Sequence, residues 1–196
     1  MQFDLSAILR LFGDTIRDPA AVASRIKGLR LPHQAGWIVL AVATISVVLL
    51  LHIERLLPGS TAQVVGFGGT PILDTVILGA LSVMMVFVFY MMGRSMGGDG
   101  SFGATLALMA WFQVFVLVLV VAQVVAAIFL PVLAGVIAIG SLIVQVFVLI
   151  HFLNVLHGFD SLLKSAGLMI VSVFGLGFGL AIIVVIIGGL SAVGGA

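Results

Sequence analysis

The sequence predicts an all-α fold: a polytopic membrane bundle of five transmembrane helices, preceded by amphipathic helices at the interface. Three observations predict it. Charged residues are only 8% of the 196-residue chain, against about 25% in a soluble domain. Hydrophobic residues reach 63% and the mean hydropathy is +1.42, more apolar surface than a globule of this size can hide. The apolar residues also gather into five runs, each close to the roughly 20 residues that cross a bilayer.

The elements follow in chain order. In residues 1–33, Leu5, Ile8, Leu9, Phe12 and Ile16 fall on one helical arc, with Ser6, Arg10, Asp14 and Arg17 opposite. Asp18 then reads as an N-cap, with Pro19 at the first position of a second helix. There Val22, Ile26 and Leu29 share a face. The simplest placement of both helices is the headgroup region, with basic residues near anionic lipid. Docking on protein is the sharper alternative, and the two are compatible. Residues 34–196 form the transmembrane domain, with spans at about 35–54, 71–92, 102–129, 131–153 and 166–190.

Seven of the eight Lys and Arg residues lie in the tail and in the loops after the second and fourth spans, leaving Arg55 opposite. The positive-inside bias therefore predicts a multi-pass membrane protein with its N-terminus in the cytoplasm and its C-terminus on the opposite side.

Several chemistries are disfavoured. With no cysteine, disulfides, thiol nucleophiles and thiolate-held metals are excluded. A net charge of +1 offers no surface for nucleic acid. The stretch "GRSMGGDGSFGATLALMAW" lacks the Gly-Lys-Ser/Thr of a phosphate loop. Gly97, Gly98 and Gly100 read instead as a turn, with Asp99 or Ser101 capping the third span. "GLGFG" reads as a packing seam, with Gly175 and Gly179 as a small-xxx-small pair.

Polar residues within spans are the usual markers of function. Asp74 falls at the outer end of the second span, and His52, Glu54 and Arg55 at the outer end of the first can neutralise one another. Gln113 and Gln145 fall at similar depth and suggest an interhelical amide bond. His151, Asn154 and His157 recur every three residues near the inner end of the fourth span. Their drift carries the two histidines about 120° apart, so a solvated helix end is simpler than a metal or relay site. No catalytic order of residues appears, and the expectation is a non-enzyme without cofactors.

"IRDPAAVASRI", "GGDGSFGATLALMAW" and "FLNVLHGFDSLLKSAGLMI", set among five spans, resemble the Yip-one (Ypt/Rab-interacting protein) family in its bacterial branch. The resemblance implies a five-span helical protein without assigned catalytic activity that often self-associates. It singles out Asp18, Pro19, Gly97, Gly98, Gly100 and His157. Eukaryotic relatives work with Rab GTPases, but the chain lacks their long polar tail and Asp-Leu-Tyr-Gly-Pro signature, so that role does not carry over. The expected function is a self-associating membrane organiser or an accessory subunit of a larger membrane complex. The alternative is a small solute or ion transporter or channel subunit, its pathway lined by Gln113, Gln123, Gln145 and His151.

The topology is directly testable. Reporter fusions after Leu57 and at Ala196 should read periplasmic, and one at Gly98 cytoplasmic. A cytoplasmic reading at Ala196 would mean a miscounted span.

Overall fold

The computed structural model describes the backbone of residues 5–29, 31–57 and 69–194, with side chains described among these except at 5–9, 131 and 180–194. Seven helices follow one another and no strand occurs among the described residues. They are α1 (Leu5–Arg17), α2 (Pro19–Gly28), α3 (His33–Arg55), α4 (Pro71–Ser95), α5 (Phe102–Phe129), α6 (Pro131–His157) and α7 (Leu162–Gly194). Helices α3 to α7 are long and apolar enough to cross a membrane, and the fold class is the one expected.

The helix starts carry local signals. Asp18 caps α2 by accepting the Ala21 N–H at 2.9 Å, and Pro19 opens it. Thr70 caps α4 and Ser101 caps α5, each through its hydroxyl. Of the two residues expected to cap the third span, it is Ser101 that does so. Pro131 opens α6 after a single intervening residue, Leu130, which folds the two helices back against each other.

Helix α5 is the centre, with α2, α3, α4 and α6 packed around it. Six consecutive residues, Thr105 to Ala110, are buried, so this part of α5 is enclosed on every face rather than along one stripe. At about 1.5 Å per residue, the 28 residues of α5 measure roughly 42 Å, longer than the roughly 30 Å hydrocarbon core. The enclosed stretch is the end nearest α2, here called the tail end. Towards the opposite, far end, Val47 of α3 packs with Val120 and Val124 of α5.

The tail helices pack on the bundle. Val22, Ala23 and Ile26 of α2 are buried in the main core, against α5 and α6. Phe12 of α1 stacks on Phe115 at 5.0 Å, and Trp111 donates its indole N–H to the Thr15 hydroxyl at 3.1 Å. Phe12, Val22 and Ile26 of the apolar faces expected to meet lipid are therefore covered by the chain's own helices, while the side chains of Leu5, Ile8 and Leu9 lie outside the described ones. Two expected members of those faces depart from the pattern: Leu29 and Ile16 are exposed. Leu29 lies just beyond the last turn of α2, where the backbone becomes extended and the helical register lapses.

Gly36 sets the closest approach of α3 to α5. A β-carbon there would sit 2.8 Å from Leu106 Cγ, and Leu106 is itself buried. Gly36→Val should therefore lower stability by about 1–3 kcal/mol through overpacking. Gly79, with open space around it, should accept alanine with a gain of about 0.4–1 kcal/mol. Thermal unfolding in detergent measures both. Equal responses would show that α3 and α5 do not meet through Gly36.

Candidate functional site: a glycine-walled histidine at the tail end

The polar residues converge most closely where α4, α5, α6 and α7 meet at the tail end. Helix α4 ends in a Schellman motif. Gly97 takes φ +84°, its N–H bonds to the Arg94 carbonyl, and the Gly98 N–H bonds to the Gly93 carbonyl at 2.9 Å. Left-handed backbone is what a side chain resists, so Gly97 is the conformational glycine of the loop. Gly98 has no such requirement, contrary to the expectation that the loop glycines serve backbone freedom alike. Its constraint is steric.

That constraint is His157. The last residue of α6 is 1% exposed, and its imidazole sits against Gly93, Gly98 and Gly100. An added β-carbon would fall on the ring from Gly93, within 2.6 Å of it from Gly98 and within 2.7 Å from Gly100. Phe159 stacks on the ring at 5.3 Å. Nε2 lies 3.1 Å from the Phe89 carbonyl of α4. A carbonyl only accepts, so Nε2 carries the proton. Nδ1 has no hydrogen-bond partner and faces Gly98 and Gly100. The solvated helix end expected here is thus overturned for His157: the α4–α5 loop folds over it and removes it from solvent.

Backbone and charge complete the closure. The Asp99 N–H bonds to the His157 carbonyl at 3.1 Å. Lys27 of α2 donates to the Val155 carbonyl at 3.1 Å and meets Asp99 Oδ1 at 3.4 Å. Asp99 is largely exposed, so that ion pair contributes less than about 1 kcal/mol, while the Lys27–Val155 bond ties the tail to the end of α6. Asp99 is thus a latch on α2 rather than a cap.

The other two members of the expected patch serve elsewhere. Asn154 Oδ1 accepts the Ser161 N–H and the Ser165 hydroxyl, both at 3.1 Å, which fixes the turn into α7. His151 Nδ1 bonds to the Phe147 carbonyl of its own helix at 2.8 Å and lines a shallow apolar pocket with Leu162 and Leu163. Among the described residues, no three His, Asp or Glu side chains gather to hold a metal. His157 has a carbonyl on one nitrogen and glycine backbone beside the other. It is built as a peg between helices.

Four other expectations change. Asp74 is 2% exposed and joins α3 to α4, with His52 Nε2 at 2.9 Å and Arg55 at 3.6 Å from Oδ2. His52 and Arg55 thus pair with a residue of another helix rather than with Glu54. Gln113 and Gln145 make no hydrogen bond to each other, although both line one cavity with Gln123. Gly175 and Gly179 have open space where a β-carbon would go, so they form no seam within the described chain. Sequence reasoning missed Gly93, Phe89, Lys27 and Phe159. Only the clustering of glycines around residue 97 hinted that something must approach closely there.

A family model for the Yip1 domain matches residues 13–193. Neither the curated proteins nor the solved structures contain a match to the chain.

The cage makes a graded prediction for thermal unfolding in detergent. Gly97→Ala should cost about 1–2 kcal/mol, from left-handed strain alone. Gly93→Ala and Gly98→Ala should each cost about 1–3 kcal/mol or more, because His157 has nowhere to move. In a His157→Ala background the cost of Gly93→Ala should shrink, since its three nearest contacts are all imidazole atoms. Asp99→Asn should cost less than about 1 kcal/mol. A Gly93→Ala cost unchanged without the imidazole would refute the cage.

Proposed function

The chain belongs to the Yip1 domain family, and from that premise we propose that it is a non-enzymatic membrane organiser or accessory subunit that works through helix–helix contacts, with itself or within a larger complex. We place it in the bacterial cytoplasmic membrane, as the resemblance to the bacterial branch implies, and put α1, α2 and the glycine loop on the cytoplasmic side from the distribution of Lys and Arg. The observation that carries the reading is the outer face of α7. Phe174, Gly175, Gly177 and Phe178 are exposed, and among the described residues nothing lies within 4 Å of a β-carbon built at Gly175, Gly177 or Gly179. Gly175 and Gly179 are one turn apart. Without side chains of their own they let a second helix approach backbone to backbone, the usual means of association where lipid removes the hydrophobic drive. The polar groups near α6 support the same reading, since His157, Asn154 and Lys27 are engaged in holding the fold.

The alternative of a small solute or ion transporter subunit draws on Gln113, Gln123 and Gln145, which line one cavity. The fourth member of that pathway, His151, lies apart from it.

Gly175→Leu tests the leading reading, since it meets no neighbour within the described chain. Energy transfer between labelled copies in liposomes, or native mass spectrometry for a hetero-complex, should show association at least about tenfold weaker, equivalent to about 1.4 kcal/mol. Val42→Phe, on the exposed face of α3, should leave it unchanged. Unaltered association of Gly175→Leu would sink the proposal.

A further inference from the structure

The bundle contains a partly open cavity of about 550 Å³, lined from all five long helices. That lies within the range of about 300–1,000 Å³ typical of small-molecule sites. Its walls are mostly Leu, Val, Met and Phe, interrupted by five polar side chains: Thr44, Ser82, Gln113, Gln123 and Gln145. Ser82 is satisfied by the Leu78 carbonyl of its own helix. The others are not. Thr44 Oγ1 is buried without a partner in a residue 3% exposed, and the three amides make no hydrogen bond among the described residues.

These groups are not scattered. Thr44, Gln113 and Gln145 stand at one level, about 11 or 12 residues and hence roughly 17 Å from the tail ends of α3, α5 and α6. Gln123 lies about 15 Å further along α5. The cavity is therefore elongated along the membrane normal, with a hydrogen-bonding level and hydrocarbon walls beyond it. Unpaired amides facing a low-dielectric space are costly unless something meets them. No Asp, Glu, Lys, Arg or His lines the cavity, so nothing there compensates an ion or a charged headgroup. Each glutamine offers both an acceptor oxygen and donor N–H groups.

We propose that this cavity is a binding site for an uncharged lipid of the diacylglycerol kind, with its hydroxyl and ester carbonyls on Thr44, Gln113 and Gln145 and an acyl chain along the apolar walls towards Gln123. Such a molecule reaches the site from the bilayer and leaves no charge unpaired. The site is independent of the glycine face of α7, so Gly175→Leu should leave it intact.

The test uses the full-length protein in phosphatidylcholine nanodiscs with a diazirine-bearing diacylglycerol, the labelled peptides being located by mass spectrometry. Labelling should fall on the α5 and α6 segments around Gln113 and Gln145. Unlabelled diolein should compete, whereas hexadecane and phosphatidylglycerol should not. Gln113→Leu with Gln145→Leu should reduce labelling at least tenfold. Ala138→Phe, which fills the cavity two turns of α6 away from Gln145, should do the same, while Ile139→Phe on the exposed face of α6 should not. Labelling that survives either the double variant or Ala138→Phe overturns the proposal. So does equal competition by hexadecane, which would mean an apolar groove with no selection for a polar group, or by phosphatidylglycerol.

Discussion

The seating of one imidazole organises the tail end of the protein. His157 terminates α6, yet its contacts belong to other elements: the Phe89 carbonyl of α4, the glycines of the α4–α5 loop, and Phe159 before α7. A ring this close to three backbones permits only glycine at each point of contact. The hydrogen bond to Phe89 is one interaction of about 1 kcal/mol. The greater consequence is geometric, because interiors are close-packed and transmit a misfit of a few tenths of an ångström. With the loop held over α6, the Asp99 amide reaches the His157 carbonyl and Lys27 reaches Val155, so the docking of α2 depends on the same peg.

The far end meets the opposite problem, a buried charge, with a different solution. Asp74 is nearly inaccessible and stands between His52 and Arg55. An unpaired carboxylate there would be strongly unfavourable, and two partners from another helix make its burial tolerable. Breaking such a cluster by removing one member costs more than the cluster contributes. Its role is accordingly to specify which end of α3 lies beside which end of α4. The two ends of the bundle are thus each registered by one polar arrangement, steric at the tail end and ionic at the far end.

Between them the bundle leaves two features incomplete in the isolated chain. One is an outward helix face with glycine where lipid-facing helices ordinarily carry branched side chains. The other is an inward cavity with amides where a core ordinarily carries none. On the readings proposed above, the first would meet a neighbouring helix and the second a lipid. They involve different residues, so the two contacts can be separated.

Composition and short-range pattern were enough for the fold class and for much of the local structure. The long apolar runs can only be satisfied by helices in lipid, because helices pair every backbone polar group internally. Asp18 with Pro19, and Ser101 before its apolar run, are caps because capping depends on neighbours within three residues. What only the tertiary structure decided are the contacts between residues far apart in the chain. A three-residue spacing placed His151, Asn154 and His157 near one another on a helix, but whether a helix end is solvated depends on what folds over it, and the covering loop lies some sixty residues earlier. Matching depth likewise put Gln113 and Gln145 at one level, but a hydrogen bond needs helix rotation as well as depth, and rotation is set by packing against third helices. Gly98 and Gly175 look alike in sequence. One is walled in by His157 and the other faces open space, since a glycine has no side chain to indicate what it will meet.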